Sequence, residues 1–228
     1  MEFSVRSAGD SAWLIELPER IDAEVNTRAI RIARATEHAG LPISDVVVGY
    51  RSVMVYVDRL ADGASGVERR LEALAADPPG ADDAAGASLT IPVCYDGPYG
   101  PDLEDIAAFA QCSIDEVIQR HLAREYRVFV VGFVPGFAYM ASVDPRIAAP
   151  RRSSPRLKVP AGSVAIAAGQ TGIYPAETPG GWSLIGRCPT RPYDPDRAEP
   201  FLFRPGDSVR FTRISESEYR ASTEWSDA

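Results

Sequence analysis

Residues 126–186 constrain the fold more than any other part of the chain, because glycine and proline are concentrated there. This stretch of 61 residues holds 8 of the 18 glycines and 7 of the 19 prolines in a protein of 228 residues. The segments between them are short and rich in β-branched or aromatic residues, which predicts short strands. The predicted strands here and near the C-terminus are Arg127–Phe133, Ser163–Ala168, Gly172–Tyr174, Trp182–Arg187 and Ser208–Ile214. Such a series favours a closed or nearly closed β-barrel.

The same stretch is positively charged, although the protein as a whole is acidic. It contains six basic and two acidic side chains, a formal charge of +4 in a chain whose net charge is −8. Four of the cations follow each other closely: Arg151, Arg152, Arg156 and Lys158. Prolines around them restrain the backbone, and the arginine fork fits carboxylate or phosphate. Most charge runs are solvated loops, but this restraint favours a preorganised anion site or a docking surface.

Whole-chain composition is that of an ordinary globular protein and excludes several classes. A net charge of −8 and a pI near 4.9 argue against a general nucleic-acid or anionic-membrane binder. Apolar runs such as Val128–Val131 are too short to span a bilayer, and no export signal is visible. The three cysteines are widely spaced, which favours a reduced, cytoplasmic protein over a disulfide scaffold.

A linker is expected to divide the chain into two domains. The segment Asp77–Ser88 reads DPPGADDAAGAS and contains no large apolar residue. Before it, strands and helices follow in the order β-β-α-β-β-α, and Ser65 with Glu68 forms a capping-box pattern at the second helix. The sequence therefore predicts an α+β protein with a small N-terminal α+β domain over 1–80, a β-barrel domain over 88–216 and a loose tail over 217–228.

Familiar catalytic motifs are absent from the sequence. The chain has two histidines, His38 and His121, and no close pair of cysteines or histidines. Because no residues have the spacing of metal ligands, no metal site is predicted. The sequence has no phosphate-binding loop, dinucleotide fingerprint or nucleophile elbow. His121 falls on the apolar face of a predicted helix, where a satisfied core histidine is commoner than a ligand. It is a weak catalytic candidate, and no nucleophile can be named.

One loop presents aromatic side chains on a stiff backbone. Phe133, Pro135 and Phe137 belong to the run GFVPGFAY, in which glycines permit unusual turns and proline fixes the loop. Two interpretations stay open: the rings plug the barrel core, or they form an aromatic wall for a flat ligand or a partner.

Two further loops combine polar side chains with turns. Gln170 and Tyr174 lie in GQTGIYP, and Thr178 begins TPGGW, which continues through Gly180, Gly181 and Trp182. Backbone N–H groups in such turns can bind an anion. Two plain β-turns in a barrel are the alternative.

Six motifs, taken together, resemble one known family. They are GDSAWLIEL at Gly9–Leu17, IPVCYDGPYGPDLEDIA at Ile91–Ala107, EYRVFVVGFVPGFAYM at Glu125–Met140, PRRSSPRLKVPAGSVAIA at Pro150–Ala167, QTGIYPAETPGGWSLIGRCP at Gln170–Pro189 and RPGDSVRF at Arg204–Phe211. In order and nearly end to end, they resemble the KipI / 5-oxoprolinase B-subunit family, also described as allophanate hydrolase subunit 1 or the carboxyltransferase domain, subdomain C and D. Asp96 stands where the family usually has glycine, and Ala138 where it usually has proline.

The resemblance implies a fold and an activity. The fold is a small α/β-plait-like domain followed by a cyclophilin-like β-barrel, without prolyl isomerase activity. The implied activity is that of a non-autonomous subunit of an ATP-dependent 5-oxoprolinase, which cleaves 5-oxo-L-proline to L-glutamate. The implied partners are a homologue of the C subunit of 5-oxoprolinase (allophanate hydrolase subunit 2) and, in addition, the A subunit. ATP is used by the complex, although this chain shows no motif that would hold it.

Within this hypothesis each group of candidate residues receives a role. The four cations of the 151–158 segment contact an anion, and Gln170, Tyr174 and Thr178 orient the substrate. The aromatic and glycine loops wall the pocket or bind the partner protein. Two other functions stay open: a KipI-like inhibitor of a sensor histidine kinase, and half of a urea-carboxylase-type carboxyltransferase. The latter would receive biotin in trans, since the chain lacks a biotin-acceptor Met-Lys-Met sequence.

Overall fold

The chain forms two compact units, residues 1–86 and 87–228, in a computed structural model. It describes residues 1–20, 22–61, 63, 66–79, 86–223 and 225, so the centre of the expected linker lies outside the described residues. None of the described helices combines the length and apolarity that a membrane crossing requires. The three cysteines carry free thiols.

The first unit is a four-stranded antiparallel sheet with two helices. Its elements are β1 (Ser4–Ser7), β2 (Ala12–Glu16), α1 (Ala23–Glu37), β3 (Ile43–Val48), β4 (Ser52–Val57) and α2 (Val67–Ala76). The strands lie in the order β1-β2-β4-β3, and a buried apolar core joins the sheet to both helices. The element order β-β-α-β-β-α expected from the sequence is therefore confirmed.

The two helices of this unit begin in different ways. Asp22 caps α1, since its carboxylate accepts hydrogen bonds from the backbone N–H groups of Glu24 and Val25 at 2.8 and 3.3 Å. α2 begins after Gly66, whose φ of 84° lies in the left-handed region that favours glycine. Among the described residues, no side-chain hydrogen bond caps α2. The expected capping serine, Ser65, lies outside the described residues.

The second unit is built on a closed seven-stranded β-barrel. Its strands are β5 (Ser88–Cys94), β6 (Glu125–Val131), β7 (Ala138–Ala141), β8 (Arg156–Val159), β9 (Ser163–Ala167), β10 (Gln170–Ile173), β11 (Thr178–Gly180), β12 (Ser183–Arg187) and β13 (Ser208–Ile214). The barrel order is β10-β7-β6-β13-β5-β12-β9, and β8 pairs with β11 in a separate ribbon. Three helices accompany it: α3 (Leu103–Ala110), α4 (Ile114–Leu122) and α5 (Glu216–Ser222). The predicted barrel is confirmed.

A buried carboxylate fixes the parallel pairing of β13 with β5. Asp207 accepts hydrogen bonds from the backbone N–H groups of Ala87 at 2.8 Å and Arg204 at 2.7 Å. The first bond joins the beginning of β5 to the turn before β13. From this point the two strands stay in register over seven residue pairs. The turn formed by Arg204, Pro205, Gly206 and Asp207 thus also connects the two strands at this edge of the barrel.

Strand β9 separates two apolar cores because successive side chains point to opposite faces. Val164 and Ile166 belong to the main core inside the barrel. Ala165 and Ala167 belong to a second core that contains Phe137 and three other large side chains. This second core lies on the other face of β9 and holds three of the residues that the sequence singles out, Phe137, Tyr174 and Trp182.

The C-terminal segment differs from the loose tail expected over 217–228. Residues Glu216–Ser222 form α5, and Ser215 and Glu218 form a reciprocal capping box that satisfies free backbone donors at its first turn. Tyr219 is buried, and its ring packs against Tyr99 at a centroid distance of 4.7 Å. A buried ring and a good cap thus order residues 216–222, although their polar composition suggested a loose tail.

Candidate functional site

A buried carboxylate, Asp102, joins three segments of the second unit. Its side chain is 3% exposed and lies just before α3. Arg156 donates to it through Nη1 at 2.9 Å and Nη2 at 2.6 Å, and Arg152 donates through Nη1 at 2.9 Å. The backbone N–H of Leu184 donates at 2.7 Å. Asp102 therefore ties the loop before β8, β8 itself and β12 to the start of α3.

This arrangement changes what the four predicted anion-binding cations can do. The guanidinium groups of Arg152 and Arg156 already hold a carboxylate of the chain itself. Lys158 forms an exposed ion pair with Glu177 at 3.1 Å. Arg151 is exposed and has no hydrogen-bond or ion-pair partner among the described residues. Of the four, Arg151 is the cation best placed to receive an external anion.

Four aromatic rings form a cluster on the outer face of the barrel, called here the aromatic cluster. Phe137 lies at its centre, with ring centroids 4.8 Å from Tyr139, 5.2 Å from Tyr174 and 5.5 Å from Trp182. All three contacts are edge-to-face, the geometry that aromatic quadrupoles favour. Phe137, Tyr174 and Trp182 are almost completely buried. Most of the rings thus fill a core, but it is the second core outside the barrel and not the barrel interior. An aromatic wall for a ligand or a partner stays a prediction.

Arg151 lies near the hydroxyl groups of two tyrosines in the aromatic cluster. Burial raises the pKa of Tyr139 and of Tyr174, and the charge of Arg151 opposes both shifts. Both phenols are therefore protonated at neutral pH. A guanidinium beside phenol groups at the rim of an apolar cluster can bind a small carboxylate with a flat apolar body.

Glycines permit close packing around the aromatic cluster. Gly136 has a φ of 85°, and a Cβ there would lie 2.6 Å from the Cβ of Tyr193. At Gly180 a Cβ would lie 2.9 Å from the ring of Tyr174. The carbonyl of Gly181 accepts a hydrogen bond from the Arg152 N–H at 2.8 Å. These glycines are structural supports of the site.

Phe133 and Pro135 lie on the surface beside the aromatic cluster. Phe133 is 62% exposed and meets Phe137 edge-to-face at 5.8 Å. Its φ of 73° is unusual for a residue with a side chain, so the loop holds this ring outward at a conformational cost. Pro135 is also exposed. Both residues can serve as the partner-facing part of the predicted wall.

The remaining two predicted substrate contacts lie in the barrel and the ribbon. Gln170 begins β10, where its backbone pairs with Ala141 and Ala167. Thr178 begins β11 opposite Val159. Substrate contact by their side chains stays a prediction.

His121 lies inside the second unit and not at its surface. The side chain is fully buried and stacks on Phe211 at a centroid distance of 4.7 Å. Its two ring nitrogens contact the Tyr95 hydroxyl at 2.8 Å and the Thr171 hydroxyl at 3.1 Å. Burial lowers the pKa of His121 to about 3. The structure therefore favours the core histidine over the weak catalytic candidate.

The neutral state of His121 predicts a loss of stability in mild acid. The unfolded chain binds a proton at the ordinary pKa of about 6.5, whereas the folded chain does not until about pH 3. Unfolding is thus favoured as the pH falls below 6.5, by up to about 1.4 kcal/mol per pH unit. Between pH 7 and pH 5 we expect a loss of about 2 kcal/mol, measured by urea denaturation.

A matched pair of variants isolates this effect. His121→Gln should have a much smaller difference in unfolding free energy between the two pH values, while the exposed His38→Gln should behave as the wild-type protein. Equal pH dependence in His121→Gln and the wild type would contradict the assignment.

Two residues at this site were not among the sequence candidates. Asp102 precedes α3 in the run GPDLEDI, where an acidic residue resembles an ordinary helix start. The neighbouring sequence does not indicate that Asp102 is the partner of Arg152 and Arg156, which lie 50 and 54 positions later. Tyr139 belongs to the GFVPGFAY run but was not a candidate. Its neighbours Ala138 and Met140 point into the barrel core, so the side chain of Tyr139 points to the opposite face, towards the second core.

Comparison with known proteins identifies the class to which this barrel belongs. Residues 3–203 match the carboxyltransferase domain, subdomain C and D, and the chain belongs to this family. The B subunit of 5-oxoprolinase from Bacillus subtilis strain 168 is 40% identical, over 98% of both chains. The protein of the same name from Escherichia coli O157:H7 is 52% identical over 123 residues, which are 54% of this chain and 56% of that one.

Solved structures share the fold within longer chains. The crystallised protein TTHA0988 is 37% identical, with a TM-score of 0.80 over 93% of this chain. This chain spans 40% of the length of TTHA0988. Urea amidolyase of K. lactis has a TM-score of 0.77 at 22% identity, which shows the fold alone, and the match covers 15% of that enzyme.

Proposed function

We propose that this chain is the B subunit of a 5-oxoprolinase and helps to cleave 5-oxo-L-proline to L-glutamate. The observation that carries the proposal is the full-length similarity to the B subunit of 5-oxoprolinase from B. subtilis, with 40% identity over 98% of both chains. The substrate is small, carries one carboxylate and has a flat lactam ring. Those properties fit a site that combines a cation, phenol hydroxyls and an apolar wall.

Within this proposal, Arg151 binds the substrate carboxylate. Arg152 and Arg156 are already held by Asp102 in a nearly buried cluster, whereas Arg151 has no such partner among the described residues. Its guanidinium offers two parallel N–H donors to a carboxylate. The hydroxyls of Tyr139 and Tyr174, near which Arg151 lies, would orient the lactam group. The Asp102 cluster holds the loop that carries Arg151.

The proposed activity belongs to a complex. Relatives of this chain are named as subunits, and the same fold forms 40% of TTHA0988 and 15% of the K. lactis enzyme. We propose that the partner is a homologue of the 5-oxoprolinase C subunit, that the A subunit also takes part, and that the chain alone is inactive. ATP is a substrate of the complex in this proposal, and positioning of 5-oxoproline is the contribution of Arg151 and the aromatic cluster.

Reconstitution tests the proposal directly. The chain is purified alone and together with homologues of the A and C subunits, and release of glutamate from 5-oxoproline is measured with and without ATP. We expect ATP-dependent release only from the complete complex. Turnover by the chain alone would contradict the dependence on partners. A reconstituted complex that carboxylates urea and leaves 5-oxoproline intact would contradict the proposed substrate.

A further inference from the structure

A pocket lies in the barrel unit, and neither Arg151 nor the aromatic cluster belongs to its lining. It has a volume of about 690 Å³, within the range typical of small-molecule sites. Its walls come from the end of β12, the segment after β8, the short turn at Tyr99, and α5 with the residues that follow it. The C-terminal segment is thus one wall of a pocket.

Positive charge dominates the lining of this pocket. Three arginines, Arg187, Arg191 and Arg220, line it, against one acidic side chain, Glu177. Glu177 is itself bound to Lys158. Arg220 is held by Glu216 at 2.6 Å, so part of its charge is compensated. The Nε of Arg187 donates to the carbonyl of Ala161 at 2.9 Å. Among the described residues no acidic side chain binds its guanidinium, so its charge is not compensated by an ion pair.

Aromatic side chains form the other part of the lining. Tyr99 and Tyr219 pack together on one side, and Trp225 lies on another. The indole Nε1 of Trp225 donates to the carbonyl of Cys188 at 2.9 Å, and the guanidinium of Arg191 lies 5.6 Å from its ring centre. These contacts fix the indole and place a cation beside it. Arginine beside fixed aromatic rings is the combination that binds phosphate groups and flat bases together.

We propose that this pocket binds a nucleotide, with its phosphates at Arg187 and Arg220 and its base beside the tyrosines and Trp225. Three guanidinium groups supply more positive charge than a ligand with a single carboxylate would need. The volume of the pocket accommodates a nucleotide. Burial raises the pKa of Tyr219 and the charge of Arg187 opposes this shift, and both residues line the pocket, so its cationic and aromatic parts adjoin. The inference does not depend on the 5-oxoprolinase proposal, because binding is measured on the isolated chain.

Calorimetric titration of the full chain tests the pocket. The probes are ATP, inorganic triphosphate, adenosine and L-glutamate. We expect ATP to bind more tightly than either triphosphate or adenosine, because each lacks one of the two recognised parts. Triphosphate binding as tightly as ATP would overturn the contribution of the base, and adenosine binding as tightly would overturn that of the arginines. A preference for glutamate, or no binding of ATP at millimolar concentration, would overturn the proposal.

Variants then locate the binding site. Arg220→Gln is the first choice, since its side chain is 71% exposed and we expect its replacement to leave the fold intact. Arg187→Gln should have the larger effect, at least tenfold weaker ATP binding. Arg204→Gln is the matched control: it is an exposed arginine of the same unit, paired with Glu199 and outside the pocket. ATP affinity within twofold of the wild type in both pocket variants, with normal folding, would place the nucleotide elsewhere and overturn the assignment.

Discussion

Replacement of Asp102 by alanine is expected to lower the free energy of unfolding by about 3 kcal/mol. The carboxylate is nearly buried and accepts from Arg152, Arg156 and the backbone of Leu184. Without it, two partly buried guanidinium groups and one N–H lose their acceptor together. Losing one member of a buried charge cluster costs more than the pair itself contributes, since the remaining charges stay desolvated. Urea denaturation followed by circular dichroism measures the change.

A neighbouring carboxylate provides the control for this experiment. Asp105 also contacts Arg152, at 3.4 Å, but its side chain is 74% exposed. Asp105→Ala should therefore change the free energy of unfolding by less than about 1 kcal/mol. Similar effects of the two replacements would show that burial of Asp102 does not stabilise the cluster. A fall in activity of the reconstituted complex beyond the unfolded fraction is expected in addition, because Asp102 fixes the loop that carries Arg151.

Replacement of Arg151 by alanine is expected to raise the KM for 5-oxoproline in the reconstituted complex roughly 10- to 100-fold. The expected loss is that of one charge-assisted contact to the substrate carboxylate. Because this contact is present both before and during the reaction, kcat should change much less than KM. Protein stability should be unaffected, since Arg151 is exposed and without a hydrogen-bond or ion-pair partner in the described part of the chain.

Two further variants serve as controls for this measurement. Arg151→Lys keeps the charge but loses the planar fork, so it should recover part of the affinity. Arg69→Ala removes an exposed arginine of the first unit and should leave KM unchanged. An unchanged KM in Arg151→Ala would remove Arg151 from the site. If kcat and kcat/KM of Arg151→Ala fell by the same factor, Arg151 would act in the reaction step and not in substrate binding.

Local patterns predicted the barrel and the first unit because the relevant information is local. The capped, amphipathic α1 with Asp22 at its start, and the short strands between glycines and prolines, depend on neighbouring residues. The same holds for the RPGD turn before β13. The strands β8 and β11 were not predicted, because Lys158, Pro179 and Gly180 belong to residue types that are depleted in strands, and β7 was not predicted either.

The candidate site was predicted as a region but not in its details. Proximity in sequence suggested that Arg151, Arg152 and Arg156 act alike. The structure separates them, because Asp102 lies about 50 positions earlier in the chain and its position depends on the packing of α3. The pocket beside α5 was missed for a similar reason. Arg187 and Arg191 lie at and just after the end of β12, whereas Arg220 and the aromatic rings of the lining come from other segments, and no local pattern marks them as neighbours.

The parallel pairing of β5 with β13 also sets an order of events during synthesis. The bond between Ala87 and Asp207 spans 120 positions, so the first barrel strand is made long before its neighbour. All described strands and helices of the first unit precede it and can fold meanwhile. Until β13 leaves the ribosome, the side chains that Val209 and Phe211 will cover remain open to water. A nascent chain that stalls just before β13 has six of the seven barrel strands and an open, apolar gap where β13 belongs, and this interval is where a chaperone would be needed most.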